Sequence, residues 1–205
     1  SDRMTRFMTA TFPCNAKKNR YTTVLPIEHT RVILSKLKGD SFSDYINANF
    51  VDGLHKKGKH AYIATQAPIP STFADFWRMI WEQDSHIIVM LTNLIEDKKV
   101  KAHKYWPTGP KPKVYGVFTV THLETEHSND FNYKCKKFLI ENQEGQSREV
   151  NLFHYRGWPD HGVPTSPRDI LTMMGHVDHL HMQNYADSPI VVHCSAGIGR
   201  TGTYI

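Results

Sequence analysis

The sequence predicts an α/β (α+β) fold, a twisted mixed β-sheet flanked by helices, and three observations carry that expectation. Short runs rich in β-branched and aromatic residues recur along the 205-residue chain at strand length. Two longer stretches repeat apolar residues at helical spacing and carry their own start signals. Near residue 200 the chain passes from an apolar strand through a glycine-containing loop into a helix, a layout that turns backbone N–H groups toward an anion.

In chain order, residues 1–30 are polar and turn-rich and read as a leading segment packing on the body. A strand is expected at 61–65, ended by Ala67-Pro68-Ile69-Pro70. Thr72 and Asp75 form a capping-box pattern ahead of a helix whose Phe73, Phe76, Trp77, Ile80 and Trp81 make a core-facing stripe. Further strands are expected at 86–91, 114–121, 133–140 and 149–155, with a proline-rich turn at 106–112. Ser166 reads as the cap of a second helix, with Pro167 in its first turn and Asp169 three positions on. Ile170, Met174, Val177 and His181 would form its buried edge, and His181 reads as a core histidine rather than a ligand. Residues 189–193 make the last strand, and a helix starts at Arg200. No repeat or linker divides the chain, so 1–205 is taken as one domain.

Composition narrows the function. Forty per cent apolar and 22% charged residues describe a globular chain. The first ten residues lack the apolar stretch of a signal peptide, and the longest apolar run, 87–91, is far too short for a membrane span. Cys14, Cys135 and Cys194 lie far apart with no C-x-x-C pair, which fits a reducing compartment and so a cytoplasmic setting. Cys14 and Cys135 read as small buried hydrophobes. A net charge of +5 favours an anionic ligand. The basic stretches at 56–59 and 98–104 read as solvated loop faces and lack the interleaved aromatics of a single-strand nucleic-acid binder, so no nucleic-acid partner is expected. The 13 histidines show no H-E-x-x-H spacing, so neither metal nor organic cofactor is expected.

The chemistry concentrates in His193-Cys194-Ser195-Ala196-Gly197-Ile198-Gly199-Arg200-Thr201-Gly202. Five residues between Cys194 and Arg200 suffice to circle one tetrahedral anion, and the small Ser195, Ala196, Gly197 and Gly199 around Ile198 let successive N–H groups turn inward. Arg200 can hold two phosphoryl oxygens with its planar fork. A guanidinium and a helix start beside Cys194 favour thiolate, the nucleophilic form. The Thr201 hydroxyl can donate to that sulfur and help it leave. A phosphate ester also needs a proton donor, and Asp160 lies upstream in Trp158-Pro159-Asp160-His161-Gly162, a Pro- and Gly-bounded turn suited to a movable lid. Cys-x5-Arg alone arises often by chance; the flanking His193, Thr201, glycines and Asp160 make the pattern specific.

These residues resemble the protein tyrosine phosphatases that use a catalytic cysteine on phosphotyrosine. His193 to Gly202 is similar to that family's signature, and Trp158-Pro159-Asp160 to its mobile general-acid loop. Lys18-Asn19-Arg20-Tyr21, Asp44 to Asn49, Tyr62 to Pro68, Phe76 to Glu82 and Tyr105-Trp106-Pro107 resemble five more of its segments, so the likeness runs over nearly the whole chain. The resemblance implies a phosphatase-like fold and hydrolysis of phosphotyrosine in proteins through a phospho-cysteine at Cys194. Arg200 would clamp the phosphate, and Asp160 would act as acid and then base. Tyr21 would wall a cleft too deep for phosphoserine or phosphothreonine. Glu96 would hold Arg200, Lys101 would approach Asp160 and the phosphate, and Tyr105 would bond His193 behind the loop. Phosphotyrosine proteins are the implied partners. A chain without a membrane span fits a soluble protein and the cytoplasmic part of a receptor alike.

The sequence departs from the family pattern in three places. Thr23 stands where Asp or Asn usually meets the peptide backbone, which weakens the expectation of tight peptide binding. Ala102 replaces a frequent cysteine. The family's glutamine loop and several packing helices are expected beyond Ile205, so the domain reads as C-terminally incomplete. A binding-only relative would show damage at Cys194, Asp160, Arg200 or Tyr21, and all four are present.

Overall fold

The computed structural model describes residues 2–54, 58–159, 162–164 and 166–205. The leading segment holds a short helix, α1 (Asp2–Arg6), and 3-10 turns at Thr9–Thr11, Pro13–Lys18 and Glu28–Thr30. Strands β1 (Arg31–Ile33), β2 (Tyr45–Val51) and β3 (Tyr62–Thr65) precede helix α2 (Phe73–Glu82). After β4 (Ile87–Met90), the strands β5 (Ile95–Glu96) and β6 (Lys99–Val100) pair as a separate small hairpin. Then come β7 (Lys113–Tyr115), β8 (Phe118–Ser128), β9 (Tyr133–Glu141) and β10 (Ser147–Tyr155). Helix α3 (Arg168–Asn184), β11 (Ile190–His193) and α4 (Arg200–Tyr204) follow.

Nine strands form one mixed sheet in the order β1-β2-β3-β11-β4-β10-β9-β8-β7. The middle four, β3, β11, β4 and β10, are parallel, and antiparallel strands extend both sides. Parallel strands are buried on both faces, which is why β4 and β11 read as uninterrupted apolar runs. Alternation divides their side chains between two cores. Val191, Ile88 and Met90 face the α2 side with Phe76, Trp77 and Ile80, whereas Ile190, Val192, Ile87 and Val89 face α3 through Met173 and Val177.

Several local expectations are corrected. Thr72 holds the cap position of α2 but makes no side-chain cap bond; its hydroxyl bonds the backbone of Ile69 in a 3-10 turn leading into the helix, and Asp75 meets Arg78 at 3.5 Å. The cap position of α3 is Pro167 and not Ser166, and its fully buried methionine is Met173, with Met174 only partly covered. The strand expected at 114–121 is two strands joined by a tight turn, and β1 and β2 have no counterpart among the expected strands. Cys14 is exposed, because its 3-10 turn lays it on the outside; Cys135 is partly buried, and burial pushes its thiol up to about 12. His181 is a core residue that donates from Nε2 to the Ser188 carbonyl at 2.8 Å. Lys56 and Lys57 lie outside the described residues.

Candidate active site

The four parallel strands end on one side, so the segments after Thr65, Met90, Tyr155 and His193 share one rim. Open α/β sheets present their ligand crevices at such a rim. Backbone bonds knit it together: Leu91 N donates to His193 O at 2.9 Å, and Ala67 N donates to Ser195 O at 3.0 Å.

Cys194 sits at the bottom, 5% exposed, directly after β11. Two donors aim at its sulfur: the Gly197 N–H at 3.3 Å and the Thr201 hydroxyl at 3.2 Å. The loop from Ser195 to Gly199 turns because Gly197 holds φ +86, in the left-handed region. A Cβ at Gly197 would also lie 2.5 Å from the Thr65 carbonyl oxygen. Carbonyls 193, 194 and 195 are all taken, by Leu91 N, the His193 ring and Ala67 N respectively. In a planar trans peptide the next N–H points the opposite way, so the Ser195 and Ala196 N–H groups are turned away from those partners. Ile198 and Gly199 are exposed at the lip.

Arg200 is held by a fan of acceptors. Its Nη1 donates to Glu96 Oε2 at 2.7 Å and to Leu91 O at 3.1 Å, and its Nη2 donates to Pro159 O at 3.1 Å. Glu96, itself buried, also accepts from Asn93 N at 3.2 Å, so the β5–β6 hairpin delivers a fixed carboxylate to the guanidinium. Trp158 is buried, and its Nε1 donates to Gly162 O at 3.1 Å, tying together the two ends of the segment that contains residue 160. Asp160 itself lies outside the described residues.

Behind the loop runs a directional chain. The Cys194 carbonyl can only accept, so His193 donates from Nδ1 at 3.0 Å, and its Nε2 then accepts from the Tyr105 hydroxyl at 2.7 Å. Full burial keeps His193 neutral by pulling its pKa down to about 4, and burial pushes the Tyr105 phenol well above its usual range. His154 on β10 is likewise pulled down to about 4 by burial and donates to Thr92 O at 2.7 Å.

Tyr21 lies beside the loop, with its hydroxyl 2.6 Å from Ser195 Oγ, which donates in turn to the Lys101 carbonyl at 2.7 Å. Thus Lys101 meets the loop through its backbone, while Thr23 is exposed two residues from Tyr21. The residues that seat Tyr21 escaped the sequence reading. Gln66 accepts from Arg20 N and donates to Lys18 O, both at 2.9 Å. The Arg20 guanidinium reaches Ala67 O at 3.0 Å and Pro68 O at 2.8 Å, and Asn47 Nδ2 meets Asn19 Oδ1 at 3.1 Å and Val24 O at 3.0 Å. Their signal was a strand rich in buried amides, since Asn47 and Gln66 are 6% and 4% exposed and must find partners.

The sequence model described as "Protein-tyrosine phosphatase" matches residues 15–205. The chain is 44% identical over 98% of its length to receptor-type tyrosine-protein phosphatase S of Gallus gallus, covering 13% of that protein. It is 46% identical over 93% of its length to a tyrosine-protein phosphatase Lar-like of Caenorhabditis elegans, covering 8% of it. With receptor-type tyrosine-protein phosphatase F of Rattus norvegicus it shares 43% identity over 99% of its length and 10% of that protein. The chain therefore spans about a tenth of the length of these relatives.

Proposed function

The chain belongs to the protein-tyrosine phosphatase family, and from that premise we propose that it hydrolyses phosphotyrosine in proteins through a phospho-cysteine at Cys194. The observation that carries the proposal is the sulfur itself, set under an anion-sized loop with Gly197 N–H and the Thr201 hydroxyl directed at it.

In the first step Cys194 Sγ attacks phosphorus, the bond from phosphorus to the phenolic oxygen breaks, and Asp160 gives that oxygen its proton. Arg200 and the N–H groups of residues 195–199 receive the charge that grows on the phosphoryl oxygens. In the second step water attacks phosphorus and yields a proton to Asp160, the S–P bond breaks, and Thr201 donates to the departing sulfur. Glu96 keeps Arg200 aimed, His193 and Tyr105 fix the Cys194 carbonyl, and Trp158 anchors the acid-bearing turn. Tyr21 walls the entrance, so a long aryl phosphate reaches the sulfur while shorter alkyl phosphates fall short. Lys101 serves the acid and the phosphate, and Thr23 serves the incoming peptide.

The partners are proteins bearing phosphotyrosine. Two of the relatives are named receptor-type phosphatases, which supports a cytoplasmic place for this chain, in a soluble protein or in the cytoplasmic part of a receptor. No helix among the described residues is long and apolar enough to cross a membrane.

Cys194→Ser tests the nucleophile. Aryl-phosphate turnover should vanish, because an alcohol is a far weaker nucleophile than a thiolate. Asp160→Ala should lower turnover by roughly 10²–10⁴ while phosphotyrosine-peptide binding persists, with smaller losses for better leaving groups. Wild-type turnover in Cys194→Ser, or joint collapse of binding and turnover in Asp160→Ala, would overturn the assignments.

A further inference from the structure

A cavity of about 680 Å³ opens where β9 and β10 meet the segments around residues 93–95 and 104–106, and no residue of the 193–202 loop lines it. Four cations surround it: Lys104, Lys134, Lys136 and Arg156. Strand alternation explains two of them, since Lys134 and Lys136 share one face of β9 while Cys135 between them turns into the opposite core. His154, opposite Lys134 in the ladder, forms part of the wall as a neutral ring.

Basic residues elsewhere on the same two strands have acidic partners. Lys137, on the other face of β9, meets Glu124 at 3.1 Å, and Arg148 on β10 meets Asp84 at 3.4 Å. Among the described residues none of the four cavity cations has a carboxylate within 4.0 Å. Burial and then the charges of Lys134, Lys104 and Arg156 push the Lys136 ammonium below its ordinary range. Four like charges around one concavity repel each other, and an anion seated among them removes that repulsion.

We propose that this cavity is a second anion site, separate from the Cys194 loop, that takes a small molecule carrying two or more phosphate groups. A single phosphate would fill only a fraction of such a volume and leave most of the four charges unmatched. Lysines supply point charges to phosphate oxygens, and Arg156 supplies a planar fork. The ligand would also touch the stem of the acid-bearing turn. Arg156 N donates to Asn132 O at 2.7 Å, and Asn93 Nδ2 donates to Arg156 O at 3.2 Å.

Titration calorimetry with inositol hexakisphosphate as the probe tests the site, in wild type saturated with orthovanadate and in Arg200→Ala. Both block or weaken the Cys194 loop, so binding that persists at about one per chain supports the second site. The double variant Lys134→Gln/Lys136→Gln should bind at least about tenfold more weakly, because each lost charge-assisted contact is worth about that much, while its melting temperature without probe stays level or rises. Vesicles carrying a phosphoinositide headgroup, competed by the soluble probe, separate a lipid source from a free polyphosphate. Absence of binding, binding lost with vanadate, undiminished binding in the double variant, or equally tight binding of a poly-glutamate peptide would each overturn the proposal.

Discussion

The hydroxyls of Tyr21 and Ser195 meet at 2.6 Å across 174 residues of sequence, and Tyr21 is the donor. Ser195 has one hydroxyl proton, and the Lys101 carbonyl at 2.7 Å, which can only accept, takes it. The segment around Tyr21 and the loop after Cys194 are thus a single hydrogen-bonded unit. Tyr21→Phe keeps the ring and loses one neutral bond, worth about 0.5–1.5 kcal/mol. The expected loss in kcat/KM on an aryl phosphate is roughly 2- to 10-fold. Tyr21→Ala should lose more, and should narrow the preference for aryl over alkyl phosphates when both are assayed side by side.

Gly197→Ala meets two obstacles at once, a positive φ and a carbonyl oxygen 2.5 Å from the new methyl. The loop must move off β3 to accept it. A melting temperature lowered by the equivalent of about 1–3 kcal/mol is expected, together with weakened vanadate binding. Unchanged vanadate affinity would show that the loop tolerates the shift.

Thr201 is wholly buried, with its hydroxyl 3.2 Å from the Cys194 sulfur. Thr201→Val preserves shape and removes that donor. A hydrogen bond to a charged group is worth about 1.5–3 kcal/mol, so the step in which sulfur departs as thiolate should slow by roughly 10- to 100-fold. Phospho-cysteine should then accumulate as a burst in rapid-quench kinetics, with formation affected less than breakdown.

Stability should fall in mild acid. His193 and His154 titrate near 4 in the fold against an ordinary 6.5, so the unfolded chain binds protons more readily than the native one between these values. The stability tied to their neutral state is complete above about pH 6.5 and is lost as pH drops toward 4. Melting temperatures measured across that window should decline with up to two protons taken up on unfolding, and His154→Gln should flatten the curve.

Thr23 is exposed two residues from Tyr21. A carboxylate there could accept peptide N–H groups, at about 1.5–3 kcal/mol for a charge-assisted bond. Thr23→Asp should therefore tighten phosphotyrosine peptides more than phosphotyrosine alone in paired binding titrations. Equal effects on both would remove that role from the position.

What the sequence disclosed followed local chemistry. The apolar runs of β4 and β11 and the aromatic stripe of α2 are written in adjacent residues, and so is the loop from Cys194 to Arg200. β2 was hidden because asparagine is disfavoured in strands, although Asn47 and Asn49 alternate with Ile46, Ala48 and Phe50; their amides serve the leading segment, a contact made only in three dimensions. The cap of α2 failed for a similar reason, since a 3-10 turn claimed the Thr72 hydroxyl first. Glu96 came from resemblance, because nothing in a two-residue strand announces a partner 104 residues away. Gln66 and Arg20 stood out only as members of family-like segments and were given no role, as each acts by satisfying distant backbone.

The outward-turned carbonyls of residues 193 to 195 bear on how the anion arrives. An empty phosphate cradle tends to collapse, its amides swinging over to bond one another or the solvent, and each binding event must then undo that collapse. Here the swing would require Leu91, His193 and Ala67 to surrender their partners together. Under the proposed function, a loop held this way needs little reorganisation when a dianion enters or when the charge redistributes during transfer. Vanadate should accordingly bind with an on-rate set by encounter, and with little change in amide exchange across residues 193–197.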